Sequence, residues 1–243
     1  RRGHYPRGRG TCGKSRHTME TGMRDDAAAL HLDGLVIETL DSRRLTLDGR
    51  VWAGQVVAVT VPAADGAEIA RVVAGLDERR VGGSVRVQGH DVTNRRPNDR
   101  GIGYVPAGGG LLPHLTVREN LEYGLTRRPD ATADMVETRV KAAAEHFDLT
   151  LVLHARPHHA TEDERMRAAI ARAAVGYPAA LVVDMGDRNA GGDADRVAAL
   201  CEVLHGAALP RARAMAVLAC STNPVVHDAA DALVAPVVTP DGV

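Results

Sequence analysis

IGYVPAGGGLLPHLTVRENLEYGL, residues 102–125, is the stretch whose reading decides the fold. It opens as a short strand, GIGYVP (101–106), and passes three consecutive glycines at 108–110. A close-set apolar group follows, Leu111, Leu112, Pro113 and Leu115. From Val117 the apolar residues recur with helical period as far as Phe147, with a break around residues 127–132.

Upstream, LHLDGLVIETL (30–40) and RRLTLDGRV (43–51) alternate as half-buried strands do, whereas GQVVAVTV (54–61) is a continuous β-branched run suited to burial on both faces. EIARVVAGL (68–76) reads as a helix and SVRVQG (84–89) as a short strand closed by Gly89. Downstream come a helix over 162–175, the buried strand AALVVDM (179–185), a helix over 194–204 and a last buried strand, ARAMAVLAC (212–220). Buried strands alternating with helices predict an α/β fold with a parallel sheet covered on both faces, and the two alternating segments predict an antiparallel side sheet. Trp52 is expected to cover that side sheet.

The chain has 243 residues, 44% of them apolar and 25% charged, enough for a real core and too apolar for a disordered or collagen-like chain. No window approaches 18 consecutive apolar residues, and the first 24 lack the apolar middle of a signal peptide, so neither a membrane span nor a secretory leader is expected. Cys12, Cys201 and Cys220 are too few and too scattered for a disulfide framework or a metal cage and read as structural thiols of a reducing compartment. Residues 1–24 hold seven Arg or Lys against one Glu, so the rest of a chain of net charge −1 is mildly acidic. That balance argues against a nucleic-acid-binding core. Residues 1–27 read as a disordered basic tail and 28–243 as the folded domain.

Lys14 and Lys141 are the only lysines. Lys14 lies in GRGTCGKS (8–15), which matches the phosphate-loop pattern letter for letter. Such a loop works only between a strand and a helix, and neither flank supplies one, so the match is assigned no ligand.

Residues 102–125 closely resemble the segment around the Q-loop of ABC transporter ATP-binding subunits, particularly importers of inorganic anions. Around that anchor the chain falls into family order over about residues 30–238: GQVVAV looks like the strand before the phosphate loop, RVVAGL (71–76) like the helix after it, and GSVRVQGHDVT (83–93) like the next strand. RAAIARAAVGYPAALVVD (167–184) resembles the helix after the signature motif and the Walker B strand, and AVLACSTNP (216–224) lies where the H-loop strand belongs. The resemblance implies a P-loop NTPase sheet, an antiparallel side sheet and a helical subdomain at about 107–160.

It also implies where ATP chemistry should sit, and those positions depart from the pattern. The phosphate loop corresponds to VPAADGAEI (61–69): Pro62 and Gly66 match, but Ala67 stands for the lysine and Glu68 for the magnesium-binding hydroxyl, with a one-residue gap in the pairing. A hydrogen bond to a charged group is worth about 1.5–3 kcal/mol, and Asp65 and Glu68 would set negative charge beside a polyphosphate instead. Ala107 replaces the Q-loop glutamine, and residues 160–164, ATEDE, replace Leu-Ser-Gly-Gly-Glu. Asp184 keeps the Walker B aspartate, Met185 replaces the catalytic glutamate, Gly186 the proline after it, and Thr222 the H-loop histidine. The aromatic that stacks on adenine has no clear counterpart.

Each position also has a plain structural reading. Asp184 is either a relic magnesium ligand or a strand-end carboxylate. Thr161 followed by Glu164 is a capping-box pattern, Arg165, Arg167 and Arg172 are expected in local ion pairs, and His154, His158 and His159 read as solvated. Residues 108–125 either dock a membrane subunit or pack the helical subdomain.

The resemblance with these losses implies a degenerate ATP-binding subunit, a pseudo-ATPase with a structural or regulatory role, with no catalytic residue, a vestigial nucleotide site at Pro62, Gly66, Ala67, Glu68, Ala107 and Asp184, no metal and no cofactor. Its partners would be an ABC permease subunit and an intact ATP-binding subunit, with no nucleic acid, and its place the cytoplasm, at the cytoplasmic face of the membrane. The alternatives are an active ATPase using ATP and Mg with non-standard motifs, and a cytosolic interaction module.

Overall fold

The computed structural model describes residues 28–126, 130–186 and 215–239, with 202, 205 and 206 between. The predicted tail at 1–27, the GRGTCGKS match and most of the helix expected at 194–204 lie outside the described residues.

Two five-stranded sheets form the frame. The parallel one runs β6 (Ile102–Val105), β7 (Ala180–Asp184), β8 (Ala216–Ser221), β3 (Val56–Thr60), β9 (Ala232–Val234). The antiparallel one runs β10 (Val237–Thr239), β2 (Arg44–Val51), β1 (Leu30–Glu38), β4 (Arg80–Val87), β5 (His90–Asp91). The side sheet is therefore wider than the two strands expected of it. The segment read as SVRVQG starts at Arg80 and pairs along β1, from Leu30↔Val87 to Ile37↔Arg80, and residues 237–239 close the other edge on β2.

The continuous apolar strands do what their composition requires, since each sends alternate residues into two separate cores. Val56 and Ala58 of β3, Leu181 and Val183 of β7, and Val217 and Ala219 of β8 enter one core with α2 (Val117–Tyr123), α3 (Ala133–His146) and α4 (Glu162–Ala174). Val57, Val59, Ala180, Val182, Leu218 and Cys220 enter the other, with α1 (Ala63–Ala74) and the inner face of the side sheet. With one Phe and one Trp in the chain, both cores are built mainly of Ala, Val, Leu and Ile.

Helix α1 departs from its prediction. It begins at Ala63, five residues before Glu68, so only Val61 and Pro62 separate it from β3. Proline with two alanines and Asp65 suits a first turn: Pro62 donates no N–H, and Asp65 adds negative charge at the positive end of the helix. Gly66 thus lies within the helix, where a Cβ would stand 3.0 Å from that of Cys220. The glycine serves close packing of α1 on β8. Arg100 closes the far end of α1, donating to the carbonyls of Val72 (3.0 Å) and Val73 (2.9 Å).

Candidate functional site

The expected nucleotide positions gather at the carboxyl ends of β3, β7 and β8, where ligands bind in open α/β sheets. Pro62 is exposed at the head of α1 and Ala67 is half-buried on its second turn. Asp65 and Glu68 are buried and face the chain itself. The Arg43 guanidinium holds Asp65 through two hydrogen bonds, 2.8 and 3.2 Å. Glu68 accepts the Leu40 backbone N–H (3.2 Å to Oε2) and lies 3.4 Å from Arg79 Nη1. The negative lining expected beside a polyphosphate is thus neutralised by Arg43 and Arg79 and pinned to the β1–β2 turn. That turn is set by Thr39, whose hydroxyl donates to Asp41, while Asp41 accepts from Arg43 Nε at 2.6 Å. Both contacts hold the Asp41 carboxyl below its ordinary value, Thr39 foremost.

Asp184 ends β7, buried, and accepts the Gly186 backbone N–H at 2.9 Å. Beside it in register is Cys220. Burial, and to a lesser degree the Asp184 charge, pushes that thiol up to about 12. Met185 is buried, its N–H donating to the Cys220 carbonyl at 3.1 Å. Gly186 has φ +60°, and a Cβ on it would stand 2.9 Å from that of Ala107, so these two positions meet at the sheet edge. Thr222 is exposed. Its neighbour Asn223 caps α5 (Pro224–Ala229), accepting from Val225 N–H at 2.9 Å, and an imidazole nitrogen of His227 lies 2.8 Å from the Ser221 carbonyl oxygen.

Thr161 caps α4 in a full capping box with Glu164, so residues 161–164 are a helix N-terminus as the pattern predicts. The arginines that follow correct the ion-pair expectation in part. Arg167 pairs with Asp148 at 2.9 Å, but Arg165 donates to the Ala160 carbonyl (2.6 Å) and Arg172 to those of Gly109 and Gly110 (3.2 and 2.8 Å). Arg172 therefore fixes the glycine turn after β6. His154, His158 and His159 are exposed, and among the described residues no group of three or more His, Cys, Asp or Glu could hold a metal.

The apolar run 111–115 divides. Leu111 packs on the helical core, Leu112 and Leu115 are half-buried, and Pro113 is exposed. Asn120, fully buried, ties the run down by accepting the Leu112 N–H (2.8 Å) and donating to the carbonyls of Leu112 (3.1 Å) and Thr116 (2.9 Å). Sequence reasoning missed Asn120, Arg43 and Arg79. The signal for Asn120 was a polar residue at a core position of an amphipathic helix; for the arginines, whose partners are distant in sequence, there was none.

A scan against protein families matches residues 66–185 to ABC transporter. The chain carries an ABC transporter ATP-binding domain. Over 132 residues it is 37% identical to an sn-glycerol-3-phosphate import ATP-binding protein, UgpC 3, of Rhizobium etli, a match covering 54% of this chain and 37% of that one. UgpC of Salmonella typhi is 37% identical over 141 residues, 58% of this chain and 38% of the relative. These matches span little more than a third of the relatives' length. Among solved structures, cbiO1 from Clostridium perfringens, part of the ABC transporter complex cbiONQ, superposes on the domain with a TM-score of 0.66 at 16% identity, covering 87% of each chain. The ABC domain thus has the expected α/β architecture, a parallel and an antiparallel sheet flanked by helices.

Proposed function

We propose that this ABC domain is a degenerate ATP-binding subunit of an importer, which joins a permease at the cytoplasmic face of a membrane as a structural or regulatory half and does not hydrolyse ATP. The observation that carries the reading is the two-residue link, Val61–Pro62, between β3 and α1. Phosphate loops wrap a polyphosphate in successive backbone N–H groups before their helix begins, with a lysine on the outer phosphates. Here the helix has begun by Ala63, residues 61–69 contain no lysine, and the acidic side chains of the first two turns are bonded to Arg43, Arg79 and Leu40. These residues do not fit a magnesium-bound triphosphate. Met185 supplies no base for water, and Thr222 offers only a neutral hydroxyl where the family places a histidine.

The importer assignment draws on the relatives named import ATP-binding proteins. Among the described residues no helix is long and apolar enough to cross a membrane, so contact with one would run through a partner. The run 112–115, clamped by Asn120, is the surface we assign to the permease.

Titration of the full chain with MgATP by calorimetry tests the reading. No heat of binding into the millimolar range and no phosphate release above buffer are the expected results, and a micromolar Kd would overturn it. Co-purification with a permease encoded beside it separates a transporter subunit from a free interaction module.

A further inference from the structure

At the end of α1 away from the nucleotide positions, a cleft of about 420 Å³ opens between the helix C-terminus, β4 and residues 93–100. Four arginines line it: Arg80, Arg95, Arg96 and Arg100. Arg100 is 8% exposed, and its guanidinium is spent on backbone oxygens, those of Val72, Val73, Thr93 (2.6 Å) and Arg95 (3.1 Å). Carbonyl dipoles satisfy its hydrogen bonds without cancelling its charge, and burial drives its pKa down, as it does for a cation lacking a counter-ion. Arg80 stretches over the wall, donating to Gly83 O (3.0 Å) and Asn94 Oδ1 (3.3 Å). Arg95 and Arg96 are exposed at the mouth. None of the four makes an ion pair with a described residue.

Two carboxylates share the lining. Asp77 is already engaged by Arg79 (2.5 Å) and, at 3.7 Å, by Arg71, which leaves Glu78 as the one uncompensated negative charge among the lining residues. Asp91 stands nearby, held below its ordinary value chiefly by Thr93, with weaker effects from Arg86 and Arg80. The cleft therefore keeps a surplus of about three positive charges, concentrated in a concave surface with a rigid floor, the arrangement that focuses a field on an anion. Guanidinium groups are also the donors best matched to phosphate oxygens.

We infer that the cleft between α1, β4 and residues 93–100 is a binding site for a small polyphosphate anion, with Arg80, Arg95 and Arg96 as its direct donors and Arg100 as the buried charge behind them. The site is remote from Gly66 and Asp184 and does not depend on whether those positions hold a nucleotide.

Inorganic pyrophosphate is the probe, titrated calorimetrically into the full chain at low ionic strength and without magnesium. The expected result is a single saturable site whose affinity falls about tenfold or more in R95A/R96A, rises in E78Q and weakens with added salt. Arg96 is exposed, so R96E provides a second variant if the double substitution disturbs folding, and circular dichroism checks each. Pyrophosphate that fails to bind at millimolar concentration, or that binds equally to R96E and the unaltered protein, overturns the proposal. Full retention of binding in R95A/R96A would place the anion elsewhere and overturn it as well.

Discussion

Arg43, in the turn between β1 and β2, grips Asp65 in the first turn of α1 with Nη2 to Oδ1 at 2.8 Å and Nη1 to Oδ2 at 3.2 Å. Asp65 is 4% exposed while Arg43 keeps access to water. Removing the arginine therefore strands a buried carboxylate, whereas removing both charges does not. R43A should lower the thermal midpoint, and R43A/D65N should recover part of the loss. Scanning calorimetry of the two single variants and the double closes the cycle, and strict additivity would contradict the coupling.

Asn120 is fully buried and anchors Leu112 and Thr116. N120A would leave the Leu112 N–H without its partner, while the Leu112 and Thr116 carbonyls keep the backbone N–H groups of Leu115 and Asn120, and should cost about 1–3 kcal/mol in urea unfolding. Limited proteolysis should then cut at residues 111–116, which resist it in the unaltered protein. If that loop stays protected, Asn120 is not what holds residues 111–116.

Cys220 combines burial with proximity to Asp184, and its thiol is raised from 9.0 to about 12. The folded state thus disfavours the thiolate, so the unfolded chain ionises first, and stability is lost as pH climbs from about 9 toward 12. Below 9 the thiol is neutral in both states and contributes no slope. In a C12S/C201S background, a disulfide reagent should leave Cys220 unmodified at pH 8 until denaturant is added, and the alkaline loss should shrink in C220A. Rapid labelling of the native protein would refute the assignment.

The Thr161–Glu164 capping box holds the Glu164 carboxyl below its ordinary 4.5, mainly through the Thr161 backbone N–H and then its hydroxyl. A lowered folded value means that the contribution is present above 4.5 and is lost as pH falls through the lower one. T161A should cost about 1 kcal/mol at neutral pH and less near pH 3. Denaturation at the two pH values measures the difference, and an equal cost at both would show that the carboxylate takes no part.

The residues that decide the fold carry strong local signals. Continuous apolar runs at 56–60, 180–184 and 216–221 became the inner parallel strands because burial on both faces suits them. The alternation at 30–38 and 44–51 gave the side sheet for the converse reason. Helix α1 shows where this legibility ended. Pro62 and Gly66 suggested a loop, yet Pro-Ala-Ala-Asp is also a sound helix start, and the packing of Gly66 on Cys220 resolves the matter. At the site, that residues 61–69 hold no lysine was plain to read, but the pairing of Asp65 and Glu68 was not. Arg43 lies 22 residues from Asp65 and Leu40 lies 28 from Glu68, and no local pattern encodes contacts closed by tertiary folding.

The brevity of the Val61–Pro62 connection bears on how readily that loop could be rebuilt. A lysine can be introduced by changing one codon, but length only by insertion, and any insertion there must unwind a turn whose acidic side chains anchor the neighbouring sheet. The spacing between strand and helix is therefore held by tertiary contacts as much as by local sequence, and changing it means repacking the side sheet.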